Sequence, residues 1–240
     1  MPSTPTELGT ASCAADPAGM LAVLQLCDSA LPTGAFAHSL GLETYVDDGT
    51  VGDEASFLAW VRHSLHHQTV PAEGWAVRAV AAAAAADDVW RVDDLLHAQA
   101  LPVQVRDAAS AMGRRMAEIG AENFPSPRLL AYAERLHAGT SRGSPAVAFA
   151  LAGAGVGVGW EQLAGAYLFS TATSLTQNAV RGIPLGQSAG QRVLRALHDD
   201  VARGVARIAR MGLDEFGATS PGLEIAQMRH AWQRARMFMS

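Results

Sequence analysis

Apolar residues recur along most of this chain at intervals of three and four, the spacing of one face of an α-helix. A clear case runs through Phe57, Leu58, Val61 and Leu65, and Asp53 precedes it as the predicted N-cap. No segment shows the convincing alternation of apolar and polar residues expected of a half-buried strand. The pattern predicts an all-α protein, a single compact bundle of roughly eight to ten helices.

Proline and glycine interrupt the helical pattern and predict where the chain turns. Pro32-Thr33-Gly34 favours a turn, followed by a short helix from about Ser39 to Gly49. Pro71 is expected to restart or kink the helix that begins after Asp53. The segment Phe124-Pro125-Ser126-Pro127 is the clearest internal break.

Several stretches carry more specific helix predictions. The run from Ala81 to Ala86 has the highest helix propensity available, and Pro102 suits the start of a helix. A buried stripe is then predicted at Val105, Met112, Met116 and Ile119. After the break the core-facing positions are expected at Leu129, Leu130, Ala133 and Leu136, and Gly139 can cap the helix end.

The two ends of the chain differ from the middle. Residues 1–18 have no basic start and no apolar run, so they do not resemble a secretory signal, and their composition predicts a disordered tail. Residues 19–212 are predicted to form the helical domain, with residues 213–240 as a separable C-terminal segment. The most apolar stretch, between Arg142 and Arg181, is broken first by glycines and then by hydroxyl and amide residues, so no membrane span is expected.

Composition indicates a protein with partners. Hydrophobic residues make up 49% and charged residues 17%, below the ~25% charged residues of typical domains. We therefore expect self-association, a homodimer through apolar helix faces. The two cysteines, Cys13 and Cys27, form neither a CxxC motif nor a disulfide framework, which fits a cytoplasmic protein.

The charged residues exclude several functions. The 18 basic residues are all arginine, so neither lysine-based catalysis nor a Walker A loop is available to this chain. The net charge of −5 argues against general nucleic-acid binding. Residues 181–240 nevertheless carry 9 Arg against 5 acidic residues, and this excess predicts an acidic partner for the C-terminal quarter.

Three features invite a chemical interpretation, and each has a structural alternative. His63, His66 and His67 could share one helix face and bind a metal ion weakly, or form a solvated helix end. The alternate glycines from Gly153 to Gly159 lack the spacing of a dinucleotide fingerprint and favour a close helix contact followed by a loop. The polar row from Ser170 to Asn178 fits internal bonds to backbone carbonyls or a partner surface. No GxSxG elbow with a suitable acid and histidine supports a hydrolase.

Arg181 ends a nearly uncharged stretch and is followed by a Gly-x-Pro turn. A guanidinium in this position could contact a carboxylate or phosphate on a partner, or simply favour the helix dipole.

Five segments together resemble one protein family, the urease accessory proteins UreF. They occur in that family's order and extend from about residue 21 to the C-terminus. In the printed sequence they read LQL from Leu24, ALPxGxFxxSxGLE from Ala30, AYLFS from Ala166, IPLGQxxGQR from Ile183, and LEIAxMRH from Leu223.

The resemblance implies an all-α, non-enzymatic scaffold without a cofactor, which dimerises and binds the accessory protein UreD, also called UreH. The pair would recruit the GTPase UreG for nickel delivery to apo-urease. Residues 213–240 are expected to become ordered on UreD, since as a free tail they would expose too much apolar surface. The expected UreD contacts are Leu223, Ile225, Met228, Arg229, His230, Trp232 and Phe238, and the expected UreG contacts are Arg181, Gln187 and Arg192.

This chain departs from the family pattern at a few positions. His38 stands where the family commonly has tyrosine, and Leu40 where it has glutamine. Near the C-terminus Ala231 replaces a glutamate and Met239 an arginine. A different function, a small nickel carrier using His63, His66 and His67, remains the alternative from the residues alone.

Overall fold

The computed structural model describes residues 17–240, and most of these residues are α-helical. Ten helices have ten or more residues and two are shorter. They are α1 (Pro17–Leu26), α2 (Leu42–Asp47), α3 (Glu54–Ser64), α4 (Trp75–Ala81), α5 (Ala86–Gln99), α6 (Val103–Asn123), α7 (Pro127–His137), α8 (Pro145–Gly155), α9 (Trp160–Gly182), α10 (Gln187–Ala196), α11 (His198–Ile208) and α12 (Pro221–His230). The described chain contains no strand, so the all-α prediction is confirmed.

The predicted helix boundaries largely match the structure. Asp53 caps α3, since its carboxylate accepts the N–H of Ser56 at 2.8 Å while the Ser56 hydroxyl accepts the N–H of Asp53. α6 begins directly after Pro102, and Ser126 caps α7 after the predicted break. Gly139 adopts a φ of +71° at the end of α7, a conformation that glycine reaches without strain.

A π-helical segment, Leu65–Gly74, joins α3 to α4. Pro71 lies within it and lacks the N–H that the ordinary helix ladder would use. The chain therefore continues through wider turns at the position where the sequence predicted a kink.

Two apolar clusters hold the helices together. The larger surrounds α8, whose Val147, Phe149 and Leu151 are almost fully buried against α4, α6 and α9. The smaller contains Phe57 and Leu197 and joins α3, α9 and α10 to the start of α12. Among residues 17–240, no helix is both long enough and apolar enough to cross a membrane.

The alanine run does not form a helix, contrary to its propensity. α4 ends at Ala81, and α5 begins only at Ala86. Arg128 on α7 donates to the carbonyl oxygens of Ala83 and Ala84 at 2.6 and 2.7 Å. Helix propensity per residue is below 1 kcal/mol, so a charged donor to carbonyls freed at a helix end can override it.

The predicted buried stripe of α6 is wrong for three of its four members. Ile119 is buried, whereas Val105, Met112 and Met116 are half-buried and line a cleft. The face of α6 that packs on the core consists of small residues, because its backbone approaches a neighbour too closely for larger ones. A Cβ on Gly113 would lie 2.0 Å from the carbonyl oxygen of Gly143.

On α7 the core positions are shifted from the predicted ones. Leu129 and Leu136 are buried as predicted, but Leu130 is 44% exposed and Ala133 is only half-buried. Tyr132 is fully buried in their place, because its hydroxyl donates to Asp93 at 2.8 Å.

The glycine and hydroxyl rows both have structural roles. Gly153 packs against Leu163, and Gly157 turns the loop before α9 with a φ of +83°. The hydroxyls of Ser170, Thr171, Thr173 and Thr176 each donate to a backbone carbonyl three or four residues earlier. The structural interpretation of each row is therefore confirmed.

Both ends of the described chain contact the helical body. Residues 1–16 of the predicted tail lie outside the described part of the chain, while Pro17 and Ala18 already belong to α1. Residues 213–240 are packed on the helical body, with Leu223 in the smaller apolar cluster and Phe238 buried. The reason is that α12 has an apolar face of its own that the body covers.

Candidate functional site

Helix α12 presents two different faces. Leu223, Ala226, Gln227 and His230 are buried against the body. The opposite face carries four exposed residues at helical spacings of i, i+3, i+4 and i+7. They are Ile225 at 50% exposure, Met228 at 43%, Arg229, and Trp232 at 88% just after the helix. Such a set of apolar anchors matches the pattern by which one helix docks on another protein.

Glu43 on α2 holds the C-terminal segment in place. The His230 ring is fully buried, and its Nε2 lies 2.7 Å from Glu43 Oε2; since a carboxylate only accepts, the ring nitrogen donates. The same carboxylate accepts the backbone N–H groups of Met237 and Phe238. One acidic side chain therefore satisfies donors from both α12 and the residues after it.

The last residues of the chain bind the loop before α2. The carbonyl oxygen of Ser240 accepts the N–H groups of Ser39 and Leu40 at 2.5 and 3.1 Å, and Met239 donates its N–H to Ala37. The His38 ring lies 2.8 Å from the Ser240 hydroxyl through Nδ1. Burial lowers the pKa of His38. His38 and Met239, two positions at which this chain departs from the family pattern, therefore both lie where the loop before α2 meets residues 239–240.

Leu40 is the one non-glycine residue within 17–240 with a positive φ, at 52°. Its carbonyl oxygen accepts from Gln227 Nε2 on the buried face of α12 at 3.0 Å. The adjacent Gly41 has a φ of +96°, and a Cβ there would lie 2.9 Å from Gln227 Cγ. This tight turn brings the loop directly onto α12.

Arg181 ties three parts of the chain together. Its guanidinium donates to the carbonyl oxygen of Phe36 and to the side-chain oxygen of Asn178. The guanidinium also lies 4.9 Å from the centre of the Phe238 ring and 5.8 Å from that of Phe36. Asn178, fully buried, donates in turn to the carbonyl oxygen of His38 at 2.7 Å.

The other two predicted UreG contacts lie on α10 but do not point the same way. Gln187 is the exposed first residue of the helix, while Arg192 is bound to Glu54 by two hydrogen bonds of 3.0 and 2.6 Å. Five residues at 100° each place the two side chains about 140° apart around the helix. Arg181, Gln187 and Arg192 therefore have different surroundings: the first contacts the Phe36 loop, the second is exposed, and the third is paired with Glu54.

The histidine cluster is engaged with other parts of the protein. His63 Nε2 lies 2.8 Å from the Ser220 hydroxyl, and His66 Nε2 lies 2.9 Å from Asp200 Oδ1. The rings of His63 and His67 stack with centres 4.6 Å apart. Across residues 17–240, no group of three His, Cys, Asp or Glu side chains is placed to hold a metal ion.

A cleft of about 260 Å³ separates the exposed side of α6 from α9. Its walls include Met112 and Met116 from α6 and Tyr167 from α9, and Glu73 of the π-helical segment also lines it. Oε2 of Glu73 is buried without a hydrogen-bond partner among the described residues. Burial raises the pKa of Glu73 from 4.5 to about 7 and the pKa of the Cys27 thiol to about 11.

Sequence reasoning gave no role to Glu43, Asn178 or Glu73. The first two lie within segments singled out above, but their partners are up to 195 residues away in sequence. A carboxylate two residues after Gly41 and the amide that ends the hydroxyl row were the available signals. Nothing local distinguishes Glu73 from a solvent-facing glutamate.

Comparison with known proteins gives one consistent result. Residues 51–198 match the family model described as UreF. The chain is 54% identical over 220 residues to a protein of Arthrobacter sp. (strain FB24) and 52% identical to one of Paenarthrobacter aurescens (strain TC1), each named urease accessory protein UreF. These alignments cover 92% of this chain and 96% and 97% of the relatives. A protein of Kocuria rhizophila with the same name is 44% identical over 228 residues, covering 93% of this chain and 97% of that relative.

Proposed function

The chain belongs to the UreF family of urease accessory proteins, and from this premise we propose that it is a scaffold that binds UreD and recruits UreG for GTP-dependent nickel insertion into apo-urease. Family membership assigns it a role in urease maturation. The observation that carries the finer proposal is the exposed face of α12, called here its outer face, which is formed by Ile225, Met228, Arg229 and Trp232. The scaffold acts by binding and not by catalysis, and its place of action is the cytoplasm.

The UreD contact is assigned to the outer face of α12. Ile225, Met228 and Trp232 supply apolar anchors, and Arg229 supplies a charge beside them. Large aromatic and apolar anchors dominate binding energy in such interfaces. Leu223, His230 and Phe238, also predicted as contacts, are buried within the chain and act by fixing the orientation of the helix.

The UreG contact is assigned to the region of Arg181, Gln187 and Arg192. Gln187 is free to contact a partner, whereas Arg181 also holds the Phe36 loop against the C-terminal segment. A partner that binds the C-terminal segment would thereby act on the surface beside Arg181. This connection supports successive binding of UreD and UreG to one scaffold.

Capture of UreD by surface variants of the full chain tests the proposal. We expect Trp232→Ala and Met228→Ala each to weaken capture at least tenfold, since loss of a buried interface anchor costs about 2 kcal/mol or more. Leu130→Ala is the matched control, because Leu130 is as exposed as Met228 but lies on α7.

Capture that is unchanged in both α12 variants would contradict the proposed face.

UreG binding in the presence of GTP is measured on the UreD complex, comparing Gln187→Ala and Arg181→Ala with the unmodified chain. The nickel-carrier alternative predicts tight nickel binding by the isolated protein in calorimetry, lost in His66→Ala. Two histidines of that cluster, His63 and His66, already contact Ser220 and Asp200, which favours the scaffold over the carrier.

A further inference from the structure

A group of cations surrounds one buried carboxylate where α3 and the π-helical segment meet α11. The Asp200 side chain is only 4% exposed. It accepts from Arg62 Nε at 2.9 Å, from His66 Nε2 at 2.9 Å and from Arg203 Nη2 at 2.5 Å. Burial alone would raise the pKa of Asp200, but these three hydrogen bonds outweigh it and lower the pKa.

The single negative charge of Asp200 does not cancel the positive charges around it. Arg62 and Arg203 are permanently charged, and Arg207 lies beside them with one N–H bound to the carbonyl oxygen of His66 at 2.8 Å. The pKa of His67 is lowered by burial and by the charges of His63, His66 and Arg207. The neighbouring carboxylate Asp199 forms no ion pair with any side chain of residues 17–240. Two guanidinium groups therefore contact one buried negative charge, and a third, that of Arg207, is bound to the neighbouring His66 carbonyl oxygen.

The two guanidinium groups are fixed in place with donors to spare. Arg62 uses only Nε, which leaves both Nη groups without a partner in the described chain. Arg203 uses only Nη2. Their side chains are 44% and 63% exposed to solvent. Asp200 thus holds two forked donors side by side, an arrangement suited to bind carboxylates through paired hydrogen bonds.

We propose that Arg62 and Arg203, held in place by Asp200, form a carboxylate-binding site for an acidic stretch of a protein partner. A polypeptide suits it better than a free ion, because single exposed charge pairs contribute little and several linked carboxylates bind together. Arg62 lies on α3 and Arg203 on α11, and both side chains are exposed, so one extended acidic segment can contact both. The site is distinct from the outer face of α12 and does not depend on the proposed UreD contact.

A synthetic hexaglutamate peptide titrated into the full chain by calorimetry at low salt tests the site. We expect Arg62→Gln and Arg203→Gln each to weaken binding about 5- to 10-fold, less than the full value of a charge-assisted bond because the site is exposed. Arg115→Gln is the matched control, since Arg115 is 51% exposed and pairs with Glu118 elsewhere on the surface. Binding should fall steeply at about 0.5 M NaCl.

Several outcomes would overturn the proposal. Equal binding of hexaglutamate by the Arg115→Gln and Arg203→Gln variants would remove the site, as would equal binding of hexaglutamine. Inorganic phosphate that binds as tightly as the peptide would make it a free-anion site, and tighter binding of a short DNA duplex would make it a phosphodiester site. If Arg62→Gln fails to fold, Arg203→Gln carries the test, since Asp200 keeps two partners there. UreD capture is measured on the same variants and should not change, which separates this site from the proposed function.

Discussion

Asp93 shows how much a single residue can organise in this protein. Its carboxylate is 1% exposed and accepts from the Tyr132 hydroxyl and from the backbone N–H groups of Arg142, Gly143 and Ser144. The bond lengths lie between 2.6 and 3.2 Å. The carboxylate thus supplies the negative charge and the acceptors at the N-terminus of α8.

Replacing Asp93 by asparagine should lower the free energy of unfolding by about 3 kcal/mol. The amide group removes an acceptor that buried donors need, and the charge that strengthens those bonds is lost. Urea denaturation followed by circular dichroism measures the change. Asp94→Asn is the control: Asp94 is 62% exposed in a surface pair with Arg142, so its loss should cost less than about 1 kcal/mol. Equal losses of unfolding free energy in the two variants would show that the buried hydrogen bonds of Asp93 contribute no more than a surface ion pair.

Glu73 should make stability depend on pH. Its pKa is raised by burial from 4.5 to about 7, so the folded protein binds its proton more tightly than the unfolded chain does. The protonated form therefore contributes stability below about pH 4.5, and that contribution is lost as the pH rises to about 7.

The Glu73→Gln variant isolates this effect, because glutamine has no proton to lose. We expect the variant to gain about 2 to 3 kcal/mol relative to the unmodified protein between pH 5 and pH 8. Thermal unfolding at a series of pH values measures the difference. A difference that stays constant with pH would mean that Glu73 titrates normally.

At the scale of elements, the C-terminal segment is fastened from both sides. Glu43 and the Ser39–Leu40 turn hold its end, while Leu223 and Phe238 fill apolar sites in the body. Arg181 stacks on Phe238 from the end of α9. A segment that is separable, as the sequence predicted, would leave the stability of the body nearly unchanged when deleted.

Deleting residues 221–240 should instead lower the free energy of unfolding of the body by about 4 kcal/mol. Burial of a large apolar side chain contributes about 1.5 to 3 kcal/mol, and the deletion removes both Leu223 and Phe238. Differential scanning calorimetry of the truncated and full chains measures the loss. Trp232→Ala serves as the control, since that side chain is 88% exposed and its truncation should have little effect. An unchanged melting temperature would restore the separable tail.

At the scale of the whole molecule, two helices carry groups of exposed apolar side chains. Besides the outer face of α12, the first helix exposes Met20, Leu21 and Leu24, each more than half accessible. Contiguous exposed apolar side chains of this kind mark interfaces. We predict that the homodimer expected from the composition forms through this face of α1.

Light scattering should report a dimer of the 25.1 kDa chain at micromolar concentration, and Leu21→Ser with Leu24→Ser should shift it to a monomer. The double substitution removes two buried leucines from each side of the contact. The binding free energy should therefore fall by several kcal/mol, which is enough to dissociate the dimer. Leu130→Ser is the control for adding a polar residue to an exposed apolar position. A dimer that survives the double substitution would place the contact elsewhere, and a monomeric unmodified chain would contradict self-association.

The sequence determined what depends on neighbouring residues. Helical periodicity, the cap at Asp53, the break before Pro127 and the glycine at 139 each act within a few residues, and the structure confirms them. The segments that resemble the UreF family also identified the family correctly, since they are read directly from the residues.

The tertiary structure decided what depends on distant partners. The alanine run is a turn because Arg128, far along the chain, binds its carbonyl oxygens. Met112 and Met116 line a cleft because a different face of α6, the one that carries Gly113, packs closely against Gly143. The C-terminal segment packs on the body through contacts such as that of Glu43 with His230, which lies 187 positions away in sequence. Such contacts are set by how the whole chain packs, which no local pattern of residues specifies.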